Sequence, residues 1–501
     1  MNWLDWLVLG IYGFGMIGVG FYYMRRTKSA DDYLLGGRTM KPWTVGLSLF
    51  ATLLSTLSYL ATPGEIIQNG PMLLGQVAAM PFVHWIIGWF FIPFIMRLKV
   101  TSAYEILEKR LGSSIRTLGA VTFLSLRLIW MAVIIYATTD KVLIPLTGLD
   151  PSMTPWMCGV LGIVTLIYTS MGGLRAVVMT DAVQTFILFG GAILVIVLIS
   201  VQLGGVGEWW PNGWAENWPP PRWGFQTTGQ RTFGWFFMAA VIWYVCTSGS
   251  DQMSIQRFLA TRDVKAARRV IGVSLIANTA VLIFLSLLGY ALLAYFQANP
   301  NMLNDGQTIV ADADQLLPQY IVFGLPAGIS GLIVAGLLAA AMSSLSSGVN
   351  SSSLVITVDF IDRFRKIKLS EGKHIKIARY VTVAIGVVVV GISFYVSAVP
   401  GNLLEVTYRA VNLLVSPLFI LFCMAMFIPW ATEFGTWVAT LCSIGVAMII
   451  AFWENIFGDP GPSFLFIMPA SLVVGVMVGM TASLIPIGHG VRSMLSKTDD
   501  K

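Results

Sequence analysis

Long apolar runs recur from one end of this chain to the other, and they restrict its fold more than any other feature. A run of 18 or more apolar residues is long enough to cross the hydrocarbon core of a bilayer as a helix. Inside that core every backbone N–H and C=O must be bonded within the protein, so an isolated run of this length is a helix rather than a strand. Thirteen such spans are expected, at 3–24, 42–68, 71–97, 115–144, 156–172, 174–202, 232–256, 269–297, 322–349, 376–398, 404–429, 435–455 and 464–487. Composition agrees: 56% of the 501 residues are hydrophobic and 11% charged, which excludes an ordinary soluble domain. The chain is therefore read as an all-α integral membrane protein with the lipid bilayer as its solvent. Its first run, Leu4 to Tyr23, has no basic segment before it and no small-residue cleavage site, and is expected to stay as a helix.

Charge gives the sidedness. Lys and Arg crowd into alternate loops: Arg25 to Lys41, Arg97 to Arg116 with Lys99, and Arg257 to Arg269. They recur from Arg363 to Arg379, including Lys366 and Lys368, and in the tail at Arg492, Lys497 and Lys501. The intervening loops are richer in acids such as Asp305, Asp312 and Asp314. By the positive-inside rule the N-terminus lies outside and the C-terminus in the cytoplasm, in a plasma (cytoplasmic) membrane. The net charge of +6 thus reports topology, and no nucleic-acid partner is expected. Cys158, Cys246, Cys423 and Cys442 lie in apolar segments without metal-ligand spacing. No nucleophile triad or phosphate-binding loop is visible, so the chain is not read as an enzyme and no organic cofactor is expected.

Function is sought among polar residues inside spans. Ser343, Ser344, Ser346, Ser347 and Asn350 follow an apolar run, and Ser343, Ser346, Ser347 and Asn350 share one helix face. Two readings stand: small hydroxyl residues at a helix–helix contact, or a row of hard oxygens for an alkali cation. Asp181 is placed near a membrane interface, as a snorkelling charge or a ligand. Arg127 sits about 16 Å along its helix, near mid-bilayer, where it needs an acid, water or an anion. Arg409 is a second intramembrane arginine. The hydroxyl-studded stretch Ser48 to Tyr59, followed by Pro63-Gly64, and the stretch Cys246 to Gln252 are both candidates for broken helices. They open two sets of five spans, 42–202 and 232–429, preceded by the helix at 3–24 and followed by two at 435–487. Five is odd, so the sets are inverted, which is the pattern of a transporter with its site at the midplane.

The loops offer less. Residues 203–231 carry Trp209, Trp210, Trp214, Trp218 and Trp223, read either as an interfacial aromatic belt or as a lid. Residues 101–112 read as a short amphipathic helix lying along the membrane surface.

Several segments, in order, resemble the sodium/solute symporter family of sodium-coupled sugar, sialic acid, proline and monocarboxylate transporters. They are Ser29 to Arg38, Ala61 to Glu65, Thr101 to Arg110, Gly172 to Asp181, Gln256-Arg257 and the serine row. The early helices are most similar to the monocarboxylate and vitamin branch and the sialic acid branch. The resemblance implies the leucine-transporter fold, with five-plus-five inverted repeats, and sodium ions as co-substrates. Matched residue by residue, it implies one sodium site at Ala51, Leu54, Ala340, Ser343 and Ser344. A second is implied at Asp181, Ser346 and Ser347. Helix position, more than motif identity, places a substrate cavity among Leu53, Ser55, Ser58, Gln76, Arg127, Trp130, Trp243, Tyr244 and Asn412. Where sialic acid members have an arginine for the sugar carboxylate, this chain has Trp130, with Arg127 one turn away.

The expected function is sodium-coupled import of a small organic solute, a monocarboxylate or other organic anion, by alternating access. A sugar is the main rival; proton coupling, a sensor or a channel on the same fold are further alternatives. The chain is expected to act as a monomer.

Overall fold

The structure, a computed structural model, describes residues 1–98, 100–225, 231–304, 306–365, 370–396, 403–459, 461–485 and 487, without the side chains of 403–408, 410 and 411. Lys99, Asp305, Lys366, Lys368, Arg492, Lys497 and Lys501, used above for sidedness, lie outside the described residues.

The described residues are helical throughout, with no strand. The helices that position the site are α1 (Trp3–Met24), the pair α2 (Pro42–Leu53) and α3 (Thr56–Asn69), α4 (Pro71–Arg97), α5 (Ser113–Thr147) and α6 (Pro151–Leu203). They are followed by α7 (Phe233–Ser250), α8 (Gln252–Leu259), α9 (Val264–Ala298), α10 (Ala313–Phe323), α11 (Ile329–Asp362), α12 (Glu371–Ser393), α13 (Leu403–Phe427), α14 (Glu433–Ala451) and α15 (Phe464–Ala482). Side-chain oxygens at the N-terminal boundaries satisfy the first amides of several helices. Ser55 caps α3, Thr232 caps α7 and Asp263 caps α9.

Ten described helices are long and apolar enough to cross a membrane, and the pair α2–α3, bent by 67°, makes an eleventh crossing. The 53 residues of α6 would reach about 80 Å if straight, more than twice the hydrocarbon thickness. At Gly173 (φ 59°, ψ −154°) the helix breaks, so α6 is two crossings divided where the sequence predicts. Only glycine fits there: an added Cβ would stand 2.4 Å from the Tyr33 carbonyl oxygen. With α6 divided and the 25-residue α13 counted, thirteen helical segments correspond in place to the thirteen expected spans.

Three boundaries differ from expectation. The serine helix was expected at 322–349, but Gly328 (φ 86°) precedes its start at Ile329, and Ala313–Phe323 forms the separate α10. Its other end runs on to Asp362, because Ser351 and Ser353 bond carbonyls of α11 and α12 and so need no solvent. The span at 232–256 breaks at one residue, Asp251 (ψ 127°), while Cys246 to Ser250 remain helical. The segment at 101–112 forms a helix over Glu105–Leu111 whose apolar face is packed on protein. Tyr104, Ile106, Leu107 and Leu111 are buried, and the Tyr104 ring packs against Phe123 and Phe422.

The α11 helix is the most deeply buried span and packs against α1, α2, α5 and α6. Helices α14 and α15 pack on each other and on α13. Residues 203–225 divide between the two roles considered for the tryptophans. Asn217 Nδ2 and Trp218 Nε1 donate to the Ile67 carbonyl (2.8 and 3.1 Å) and strap the end of α3, whereas Trp210 and Trp223 are exposed.

Candidate functional site

The break between α2 and α3 leaves the last carbonyls of α2 without helical donors. Leu54 is extended, and its N–H bonds the Phe50 carbonyl, while no backbone N–H of the described residues reaches the carbonyls of Ala51, Thr52 or Leu54. Two serines of α11 face them. Ser343 Oγ is 2.8 Å from Ala51 O and 3.1 Å from Ala340 O; Ser344 Oγ is 3.1 Å from Thr52 O and 2.9 Å from Leu54 O. A hydroxyl has one proton to donate. Two protons therefore face three break carbonyls and the carbonyl of Ala340, at the negative end of the α2 dipole. The result is a buried surplus of hard oxygen acceptors. Ala51, Leu54, Ala340, Ser343 and Ser344 are brought together, and Thr52, unnoticed in the sequence, joins them.

One turn further along α11, Asp181 and Arg257 form an ion pair (3.2 Å) in which both side chains are 0% exposed. Asp181 Oδ2 also accepts from Ser48 Oγ (2.6 Å) and Ser347 Oγ (3.2 Å). The Arg257 guanidinium donates to Ser48 Oγ, Ser347 Oγ and the Met253 carbonyl. Asp181 is thus no snorkelling charge, and Arg257 is no loop residue. Ser347 is part of the cluster, whereas Ser346 Oγ bonds the Ser343 carbonyl of its own helix (3.1 Å). Asp181 Oδ1 has no partner. Thr52 joins the two clusters, since its hydroxyl donates to Ser347 Oγ (2.8 Å) while its carbonyl faces Ser344.

Beside the break lies an open cavity. Leu53 and Ser58 of the broken span, Gln76, Arg127, Trp130, Trp243, Tyr244 and Asn412 all line it, as expected. Ser55 is not on its wall; its hydroxyl accepts the Ser58 N–H and starts α3. Thr62, Thr247 and Asn278 are polar wall residues that sequence reasoning missed. Asn278 carried a usable signal, as an amide inside the apolar α9.

Arg127 is buried and its Nη2 is ion-paired with Asp251, the residue at the α7–α8 break. Asp251 Oδ1 also accepts the Met253 N–H (2.8 Å). The Arg127 charge is therefore met within the protein, while its buried Nε has no hydrogen-bond partner among the described residues. Arg409 is only half-buried and does not line this cavity. No cluster of three metal-ligating His, Cys, Asp or Glu side chains occurs among the described residues.

Comparison with known proteins gives this geometry a family. The chain is 31% identical over 390 residues to the sodium/sialic acid symporter SiaT of Proteus mirabilis (strain HI4320), covering 77% of each chain. It is also 31% identical over 468 residues to a sodium-dependent multivitamin transporter of Oryctolagus cuniculus, covering 90% of this chain and 70% of that one. A solved structure of a Na⁺-coupled sialic acid symporter, in a substrate-bound outward-open state, superposes with a TM-score of 0.85 at 28% identity, over 98% of this chain and 99% of that one. Two broken helices opening two sets of five spans are the leucine-transporter fold, and the family model for sodium:solute symporters matches residues 33–443. The chain accordingly belongs to the sodium:solute symporter family.

Proposed function

We propose that this symporter imports a small organic anion with sodium, and that its first sodium is held by Ala51, Leu54, Ala340, Ser343 and Ser344. The observation that carries the sodium assignment is the surplus of buried carbonyl acceptors over hydroxyl protons at the helix break. A cation accepts lone pairs from all of these oxygens at once, and each serine can turn its proton aside to become a ligand. The donor set is hard and neutral, which suits a weakly held monovalent ion.

Because Leu53 and Leu54 belong to both the break and the cavity wall, an ion that fixes the break also fixes the wall that meets the solute. Sodium then favours the state open to the sodium-rich side, and bound solute allows closure there and opening on the other side. The second sodium is assigned to Asp181, Ser346 and Ser347. In the arrangement described, Arg257 neutralises Asp181 and Ser346 faces its own helix, so loading this site requires both to turn. With two sodium ions and a monoanion, one net charge moves inward, worth about 2.3 kcal/mol per 100 mV. The N-terminus lies outside, and the chain acts as a monomer.

The anion reading is supported by the place of Arg127 in the cavity wall and by a relative named for an acid substrate, sialic acid. A neutral sugar is the second reading, favoured by the Asp251 carboxylate that already offsets Arg127. The test is uptake of labelled organic acids and sugars into proteoliposomes under inward sodium or potassium gradients. Accumulation of an acid driven by sodium alone is expected. Equal accumulation under potassium would refute the sodium assignment, and accumulation of sugars with no acid taken up would refute the anion.

A further inference from the structure

A second, open groove lies on the flank of the molecule between the start of α2, the middle of α4 and the first turns of α9. It is lined by Trp43, His84, Lys265, Arg268, Arg269 and Gly272, among others. Lys265, Arg268 and Arg269 lie at i, i+3 and i+4 and share one face of α9, so their charges repel. They also occupy the positive end of that helix, where cations are disfavoured. The acid beside them, Asp263, is already used: it caps α9 through the Ala266 N–H (2.7 Å) and pairs with Arg262. Neither Lys265 nor Arg269 has an ion-pair partner among the described residues.

The groove is nonetheless built. Arg268 is fixed by a hydrogen bond from its Nε to the Gly88 carbonyl (2.7 Å) and by stacking over the Trp89 ring (4.8 Å). His84 packs edge-on against the same ring, and its Nδ1 has no partner. Trp43 in the groove wall and Trp89 under Arg268 are both exposed, the amphipathic ring type that favours the lipid headgroup region. Three cations without an acidic partner among the described residues, beside exposed aromatic rings, match one ligand chemistry: a phosphodiester carrying acyl chains.

We propose that this groove binds the headgroup phosphate of an anionic phospholipid, with Lys265, Arg268 and Arg269 as its electrostatic contacts and Trp43 against its glycerol and upper acyl region. The site is separate from the transport cavity and does not depend on the transport reading. Each basic residue near an anionic surface contributes about fivefold in affinity.

The test uses the full chain, purified in detergent, with binding of phosphatidylglycerol and phosphatidylcholine followed by native mass spectrometry. The wild type should retain phosphatidylglycerol preferentially. Lys265→Gln/Arg269→Gln, two exposed positions whose loss leaves the core intact, should weaken that preference about fivefold per charge. Lys265→Arg should keep it. Lys373→Gln/Lys376→Gln, which removes two exposed lysines from α12, should not change it. An equal loss in that second variant would mean diffuse surface charge and overturn the proposal. So would competition by glycerol phosphate at the same headgroup concentration, or a wild type without preference.

Discussion

Replacing Ser343 by alanine removes one of the two hydroxyls that face the break carbonyls, and the structure sets the size of the effect. In the sodium-bound state the lost contact is between a hydroxyl oxygen and a charge, worth about 1.5–3 kcal/mol. In the sodium-free state the same substitution leaves Ala51 O and Ala340 O without the hydroxyl at 2.8 and 3.1 Å. That loss raises the free energy of the sodium-free state by about 1 kcal/mol and offsets part of the penalty on binding. The difference, about 0.5–2 kcal/mol, corresponds to a roughly two- to thirtyfold rise in the sodium concentration for half-maximal uptake. The assay is the initial rate of labelled solute uptake into proteoliposomes as external sodium is varied at fixed ionic strength. Ser351→Ala is the control, since its hydroxyl bonds carbonyls of its own helix and touches no break carbonyl. An unchanged sodium dependence in Ser343→Ala would refute the assignment, as would an equal shift in Ser351→Ala.

Arg127→Gln strands the buried Asp251 carboxylate and should cost about 3–5 kcal/mol of stability; Arg127→Gln/Asp251→Asn should restore the melting temperature in detergent. If the solute is an anion, that double variant should still lose carboxylate uptake by more than about tenfold, the worth of one charge-assisted hydrogen bond. Asp5 accepts from Gly328 N, Gly331 N and Ser330 Oγ at 2.7–2.8 Å and so caps α11 from a distance. Asp5→Ala should therefore lower stability by about 1–2 kcal/mol, read by thermal unfolding. Gly173→Ala should be poorly folded, because the residue combines φ 59° with a backbone oxygen 2.4 Å from the new Cβ; a wild-type melting curve would contradict the account of the α6 break.

The spans, the division of α6 at residue 173 and the break after Leu53 were legible because each follows from one local rule. Lipid forbids unpaired backbone, glycine alone accepts φ near 59° at a crowded contact, and a hydroxyl-rich apolar stretch can lose its helix. Most of the cavity wall was legible too, through the family resemblance. What escaped was pairing between distant segments. Asp251 and Arg257 were both in view, one inside a suspected break and the other in a conspicuous Gln-Arg motif. Nothing in the local sequence says that Asp251 meets Arg127, 124 residues away, or that Arg257 meets Asp181, 76 residues away. Arg257 counted as a loop charge because it stands five residues before Arg262, yet the Asp251 break turns α8 inward and buries it. The end of α11 was misjudged for a related reason: a polar run such as Asn350 to Ser353 looks like an exit from the membrane unless its partners on α12 are known.

Thr52 is where these threads meet, and it bears on how ion and solute are coupled. The residue lines the cavity, its carbonyl faces Ser344 in the first oxygen cluster, and its hydroxyl donates to Ser347 in the second. A change at either cluster must move the same residue, whose position is free to respond because it lies at the end of α2 rather than within a continuous helix. Coupling of this kind is reciprocal: whatever sodium does for solute affinity, solute does for sodium affinity. Thr52→Val isolates the link, since it keeps shape and carbonyl and deletes only the hydroxyl. Losing one neutral hydrogen bond, about 1 kcal/mol, should change the half-maximal sodium concentration by no more than about fivefold. The cooperativity is the sharper readout. With two sodium sites linked through Thr52, the Hill coefficient for sodium should fall from near two toward one in Thr52→Val, and the enhancement of solute affinity by sodium should shrink with it. A Hill coefficient that stays at its wild-type value would mean that the two clusters load independently, and that the Thr52–Ser347 bond serves only to pack α2 against α11.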